Sequence, residues 1–331
     1  MSITRTAFCQ EDKAMKRMVK LFVFLLLAAG FAGAQAAETV DLKLRFTAGT
    51  LFRARFATEE SIKLTVFGEN KDKSQTIGVT YAFEVKKADA AGLLISVVYE
   101  EIQFQETTEN GKVDYDSTKP AAELPPLAAG VAQLVGKVFT VAVTPEGRIT
   151  KIEGVGEMAK EAVAALARPK DMDNEDAKVS LSDAFGLTRV WQDMERIFSA
   201  CPGKPVGIGD SWTRKEQVHN QLLLLCESTW TLSKRENGIC ILTTKGVIKE
   251  NKDMSAKLRG VEEGTITIDG ENGLVLSIEL KQQVKGKGSL AGRELEGLGS
   301  FPITVTGNYK IETSKGSTPG KPAADKAPKK E

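Results

Sequence analysis

Apolar and polar residues alternate at period two through most of this chain, and that alternation leaves few folds open to it. Ile77, Val79, Tyr81, Phe83 and Val85 alternate with polar or small residues, as do Leu42, Leu44 and Phe46, then Phe52, Ala54 and Phe56, then Ile62, Leu64 and Val66. Successive side chains of an extended strand point to opposite faces, so the pattern makes half-buried antiparallel strands with one dry face. Leu93, Ile95, Val97 and Tyr99 begin another set, whose parity changes at Ile102 and Phe104. A bulge near Glu100-Glu101 is expected there. Asn110-Gly111 and Asn237-Gly238 read as hairpin turns. Strands are expected again over 139–143, 149–152, 212–218, 222–234 and 239–248. Leu274, Leu276, Ile278, Leu280 and Val284 then make an even-numbered stripe, and Phe301, Ile303, Val305, Tyr309 and Ile311 an odd-numbered one.

The period changes in the middle of the chain. Met158, Ala159, Ala162, Val163 and Leu166 recur at helical spacing. Leu187, Val190, Trp191, Met194, Ile197 and Phe198 form the apolar stripe of a second helix, with Ser180 or Ser182 as its N-cap. Residues 127–134 suit a shorter one. The expected fold is mainly β (α+β): two related curved antiparallel sheets with two or three helices between or packed on them. An N-terminal β half spans 37–154, a helical segment 155–202 and a C-terminal β half 203–313. Residues 314–331 are mostly Lys, Pro, Ala, Gly and Ser and read as a disordered tail. The halves echo each other weakly. Tyr81-Ala82-Phe83 matches Trp230-Thr231-Leu232, and the strand before the Gly147 turn matches the one before the Gly273 turn.

Lys16, Arg17 and Lys20 precede an unbroken small or apolar run over 21–34, followed by Ala34-Gln35-Ala36. A basic start, a short apolar stretch and small residues at the cut read as a secretory signal peptide over 1–36, cleaved between Ala36 and Ala37. Residues 1–14, upstream of Met15 and Met18, look like an over-called start. The run is shorter than the ~20 apolar residues a spanning helix needs, and no second one follows, so the mature chain is expected to be extracytoplasmic, periplasmic or secreted, without a transmembrane helix. Its odd set of cysteines, Cys201, Cys226 and Cys240, then sits in an oxidising compartment. A two-residue turn at Asn237-Gly238 puts Cys226 opposite Lys249 and Cys240 opposite Arg235, which disfavours pairing those two. A disulfide of Cys201 with Cys226, or with Cys240, is expected; three buried thiols are the alternative.

Tyr115-Asp116-Ser117, residues 127–134, Phe139-Thr140-Val141, Gly147, Ile152-Glu153-Gly154, Pro202, Lys204-Pro205-Val206 and Gly209-Asp210-Ser211-Trp212 occur in order. Together they resemble a family of bacterial secreted and lipoprotein-like proteins that carries only a domain-of-unknown-function label, over most of residues 40–312. The resemblance implies a β-rich envelope protein and supplies no catalytic residues. The lipid-attachment cysteine of some such proteins has no counterpart here.

Forty-five basic against 44 acidic residues give no basic excess for nucleic acid. A single histidine, His219, excludes zinc sites built on several histidines and HExxH proteases. It has no nucleophile partner, and no G-x-S-x-G occurs, so it reads as a surface residue at a strand end. Residues 171–176 lack the glycine and glutamate of a calcium loop. Glu100-Glu101 and Glu262-Glu263 are adjacent in strands and point to opposite faces, so neither pair flanks one bond. Gly286, Gly288 and Gly292 lack the strand-to-helix setting of a nucleotide loop. Trp191, Trp212, Trp230 and Tyr81 lie in or beside apolar stripes and read as core. No catalytic residue, no cofactor and no metal are expected. The functional expectation is a non-catalytic envelope protein binding a lipid or another apolar or amphiphilic ligand, or else a structural module that binds another envelope protein.

Overall fold

The computed structural model describes residues 38–66, 68–109, 111–119, 123–166, 175–219, 223–250, 256–288 and 301–316. The chain divides into two units, residues 1–38 and 39–331, of which the second holds all the elements below. The expected leader, its cleavage point at Ala36 and Ala37, and residues 317–331 of the expected tail lie outside the described residues.

The strands are β1 (Leu51–Val66), β2 (Glu69–Asn70), β3 (Lys73–Asp89), β4 (Gly92–Thr108), β5 (Gly111–Asp116), β6 (Val138–Val143) and β7 (Ile149–Glu153), then β8 (Ser211–His219), β9 (Leu223–Glu236), β10 (Ile239–Glu250), β11 (Ala256–Asp269), β12 (Val275–Gly288) and β13 (Phe301–Lys315). The helices are α1 (Pro126–Ala132), α2 (Val155–Ala165), α3 (Glu175–Phe185) and α4 (Leu187–Phe198). All strands pair antiparallel in one sheet, in the order β7-β6-β4-β3-β1-β13-β12-β11-β10-β9-β8, with β2 beside β1 and β5 beside β4.

The mainly β expectation therefore holds, but the two halves are one sheet. β1 and β13, from opposite ends of the chain, pair from Phe52↔Lys315 to Leu64↔Ile303. The apolar stripes of both strands face the same way, so fusing the halves hides them on one face. This pairing also carries β13 to Lys315, two residues beyond the expected half.

The sheet rolls. Its end strands β7 and β8 are far apart in strand order, yet both lie against α4. At one end of the roll, residues 40–45 cross the opening. Val40 bridges Val206, the Leu44 N–H donates to the Pro145 carbonyl and the Arg45 N–H to that of Asn272. Gly147, at φ +84°, lets the β6–β7 turn meet the end of α4. A Cβ there would stand 2.0 Å from the Phe198 carbonyl oxygen.

Local details follow the pattern closely. Thr80 faces Glu101 while Tyr81 faces Tyr99, so Glu100 bulges as expected. Cys240 faces Arg235, but Cys226 faces Ile248 rather than Lys249, because the β9–β10 register shifts between Ile241 and Leu242. Another shift, between Thr267 and Ile268, turns Val275 inward and leaves Leu276 half-buried. The expected second helix is two, α3 and α4, meeting at Gly186, so Ser180 and Ser182 are helical residues rather than caps. Of the expected α4 stripe, Val190, Met194, Ile197 and Phe198 are fully buried, whereas Leu187 is 48% exposed.

Candidate functional site

The inward face carries a row in which side chains are polar or absent. Arg214, Ser228, Gly246, Glu262, Gln282, Gly307, Glu60, Gln75 and Glu106 stand opposite one another, strand by strand, from β8 to β4. Ser228, Glu262, Gln282, Glu60, Gln75 and Glu106 are all buried. The belt divides the interior into two apolar parts. The larger holds Phe52, Phe56, Tyr81, Phe83, Tyr99 and Phe104 with residues of α1 to α4. The smaller holds Ile62, Val218, Leu224, Ile248, Leu258, Val284, Ile303 and Val305, all on strands.

Buried charge is costly unless paired and hydrogen-bonded, and α4 supplies the partners. The Arg189 Nη2 donates to Thr58 Oγ1 at 2.6 Å, and its Nη1 lies 3.7 Å from Glu60 Oε1. Its Nε donates to Asp193 Oδ1 at 3.2 Å, one turn along the helix. The Tyr309 hydroxyl donates to Glu60 at 2.7 Å, and the Arg196 guanidinium lies 4.2 Å over the Tyr309 ring. Burial would lower the Arg189 pKa, but Asp193 and Glu60 outweigh it and hold the guanidinium charged. Burial raises the Tyr309 hydroxyl well above its usual value, and the Glu60 charge adds to that. Farther along the row, Lys73 lies 2.7 Å from Glu106, and Ser180 of α3 donates to Glu106 at 3.0 Å.

At the β8 end of the belt the donors are less evenly matched. Glu216, Cys226 and Glu262, from β8, β9 and β11, bring one donor atom each within 4.8 Å of one another. Gly246 lies between them on β10, and a Cβ there would stand 2.7 Å from Cys226 Sγ. Burial, then the charge of Glu216, raises the Glu262 pKa; the Gln282 hydrogen bond and the charges of Arg196 and Arg214 oppose the rise. Burial, Glu262 and Glu216 likewise push the Cys226 thiol up.

Cys201, Cys226 and Cys240 are free thiols, so the expected Cys201–Cys226 bridge is not formed. The two lie in different surroundings: Cys201 beside Asp41, Lys43 and Glu146, Cys226 beside Glu216 and Glu262. Tyr81 and Trp230 are core residues, and Trp212 packs partly buried at 6.4 Å from Trp230. His219 ends β8 opposite Leu223, and its side chain lies outside the described residues, as do residues 171–174. Sequence reasoning missed Glu60, Arg189, Asp193, Arg196, Glu216 and Glu262 as a group. Surface depressions lie elsewhere among the described residues, two of them of note. One of about 760 Å³ sits on the outer face among Glu59, Lys245, Glu263, Lys281 and Lys310. One of about 370 Å³ lies between α2 and α3, lined by Ala162, Val163, Leu181 and Phe185. Among the described residues no helix is long and apolar enough to cross a membrane.

A β-rich, rolled antiparallel sheet with helices inside it is the class of protein this fold defines. The chain belongs to DUF6263, a family of unknown function whose model matches residues 91–275. No curated protein matches it. Among solved structures it is similar to lipovitellin, in a structure titled for its lipid–protein interactions, at 8% identity and a TM-score of 0.46 over 84% of this chain and 26% of that one. The chain thus spans about a quarter of the lipovitellin length. It is also similar to an outer membrane channel from Pseudomonas putida F1, at 7% identity and a TM-score of 0.22, covering 82% of this chain and 98% of that one. The translocator domain of the autotransporter NalP from Neisseria meningitidis matches at 6% identity and a TM-score of 0.20, covering 91% and 97%.

Proposed function

We propose that this is an exported, non-catalytic binding protein of the cell envelope that takes an amphiphilic ligand, its apolar part among the strand residues beyond the belt and its polar part at the belt. One observation carries the reading. The smaller apolar cluster is built from strands alone, with no described helix residue in it, while helices fill the rest of the roll. Binding sites of rolled sheets lie where side chains and helices leave the interior to a ligand, and the charge of Arg196 reaches Cys226, a member of this smaller cluster. Catalysis is disfavoured by the same geometry. Glu216 and Glu262 do converge, as a carboxylate hydrolase requires, but Glu262 is buried and already hydrogen-bonded to Gln282. Export rests on the leader read over 1–36.

Native mass spectrometry and solvent extraction of protein purified from its own envelope test this. A stoichiometric amphiphile is expected, and Ile248→Trp, which fills the strand-lined cluster, should reduce its occupancy severalfold. Protein that emerges without ligand and fails to take up a fluorescent fatty-acid analogue would refute the reading. The alternative, an interaction module, is favoured by one feature. Val247 and Val261 are paired on the outer face with Leu225 close by, each about half exposed. Recovery of one partner by cross-linking, lost in Val247→Lys, would support it instead.

A further inference from the structure

We propose that Cys226, Glu216 and Glu262 form a binding site for a borderline divalent cation of the zinc class, with Gln282 as the fourth donor. The site shares Glu262 and Gln282 with the belt and Cys226 with the strand-lined cluster, but the inference does not rest on the ligand reading. The three donor atoms already lie within 4.8 Å of one another. Around a tetrahedral zinc, donors stand roughly 3.3–3.8 Å apart, given bonds of about 2.0–2.3 Å, so the trio needs to tighten by only about 1 Å. Gly246 is what permits it: the row passes from Ser228 to Glu262 across a residue with no side chain, and any Cβ there would press on the Cys226 sulfur.

A second observation points to a ligand. Gln282 is 4% exposed and donates through Nε2 to Glu262 Oε2 at 2.6 Å, yet its Oε1 has no partner among the described residues. An amide turned about its last bond presents the oxygen where the nitrogen now lies, beside the Glu262 carboxylate. A carboxylate and an amide oxygen that close repel each other unless a cation sits between them.

The charge balance agrees. A divalent cation bound there would take the place of protons on the Cys226 thiol and the Glu262 carboxyl. Arg196 and Arg214 oppose the cation and moderate its affinity. A thiolate with two carboxylates suits zinc or cobalt(II) and disfavours magnesium and calcium. Glu216, partly exposed on the end strand β8, gives the ion its way in.

Chelator-stripped protein titrated with cobalt(II) and with zinc tests the site. One equivalent of cobalt is expected, with a thiolate-to-cobalt charge-transfer band that zinc abolishes. Cys226→Ser should remove the band and weaken zinc by about tenfold or more. Glu216→Gln, at an edge position that tolerates the change, should keep the band with a similar loss of affinity, and so tests the site even if Cys226→Ser fails to fold. Cys240→Ser should change neither. Cobalt bound without the band, no cobalt bound at all, or Glu216→Gln binding zinc like the parent would overturn the proposal.

Discussion

Glu262 shows what a buried carboxylate does to a fold. Its pKa is raised above the ordinary 4.5 by burial and by Glu216. Between that value and the raised one, the folded chain keeps a proton that the unfolded chain has lost. Stability therefore falls as pH rises through this window and stays reduced above it. Glu262→Gln keeps an acceptor for Gln282 and cannot ionise. In chelator-treated protein it should melt above the parent at pH 7, and the gap should close as the pH is lowered toward 4.5. Thermal melts at a series of pH values measure this; a gap that widens on acidification would mean that Glu262 is stabilised as the anion.

At the scale of elements, α4 brings the cationic side of the belt to its partners. Arg189 ties Thr58 and Glu60 of β1 to Asp193 of its own helix. Removing one member of such a buried network strands the others, at about 3–5 kcal/mol, so Arg189→Ala should cost that much in urea denaturation, whereas an exposed pair such as Lys310 with Glu312 should cost under about 1 kcal/mol. The strands and helices were legible because burial writes period two or 3.6 into the chain. The belt was legible too, as a gap. Inward stripes break there: at Thr58 and Glu60 between Phe56 and Ile62, at Gln282 between Leu280 and Val284, and at Gly307 between Val305 and Tyr309. What the stripes do not carry is that the breaks share one row, because register across strands distant in sequence depends on pairings such as β1 with β13. The polar side of α4 went unread for a related reason. Arg189, Asp193 and Arg196 sit opposite an apolar stripe, the pattern of a solvated face, and only the belt explains why they are buried.

The whole molecule is one sheet, and its cooperativity should follow. β1 and β13 join the halves along thirteen residue pairs, so neither half presents a finished edge without the other. Circular dichroism, which reports the strands of both halves, and tryptophan fluorescence, which reports Trp191, Trp212 and Trp230, should trace a single coincident transition in denaturant. Two separated transitions would mean that the halves fold as independent bodies. The seating of α4 between β7 and β8 bears on more than packing. The outermost strands of an open sheet offer unpaired amides as a template on which further chains can add, the route to fibrils and swapped dimers. Here one helix stands over both ends of the hydrogen-bonded array. Whatever pulls α4 from its seat would expose two growth points at once, turning a folded chain into a seed.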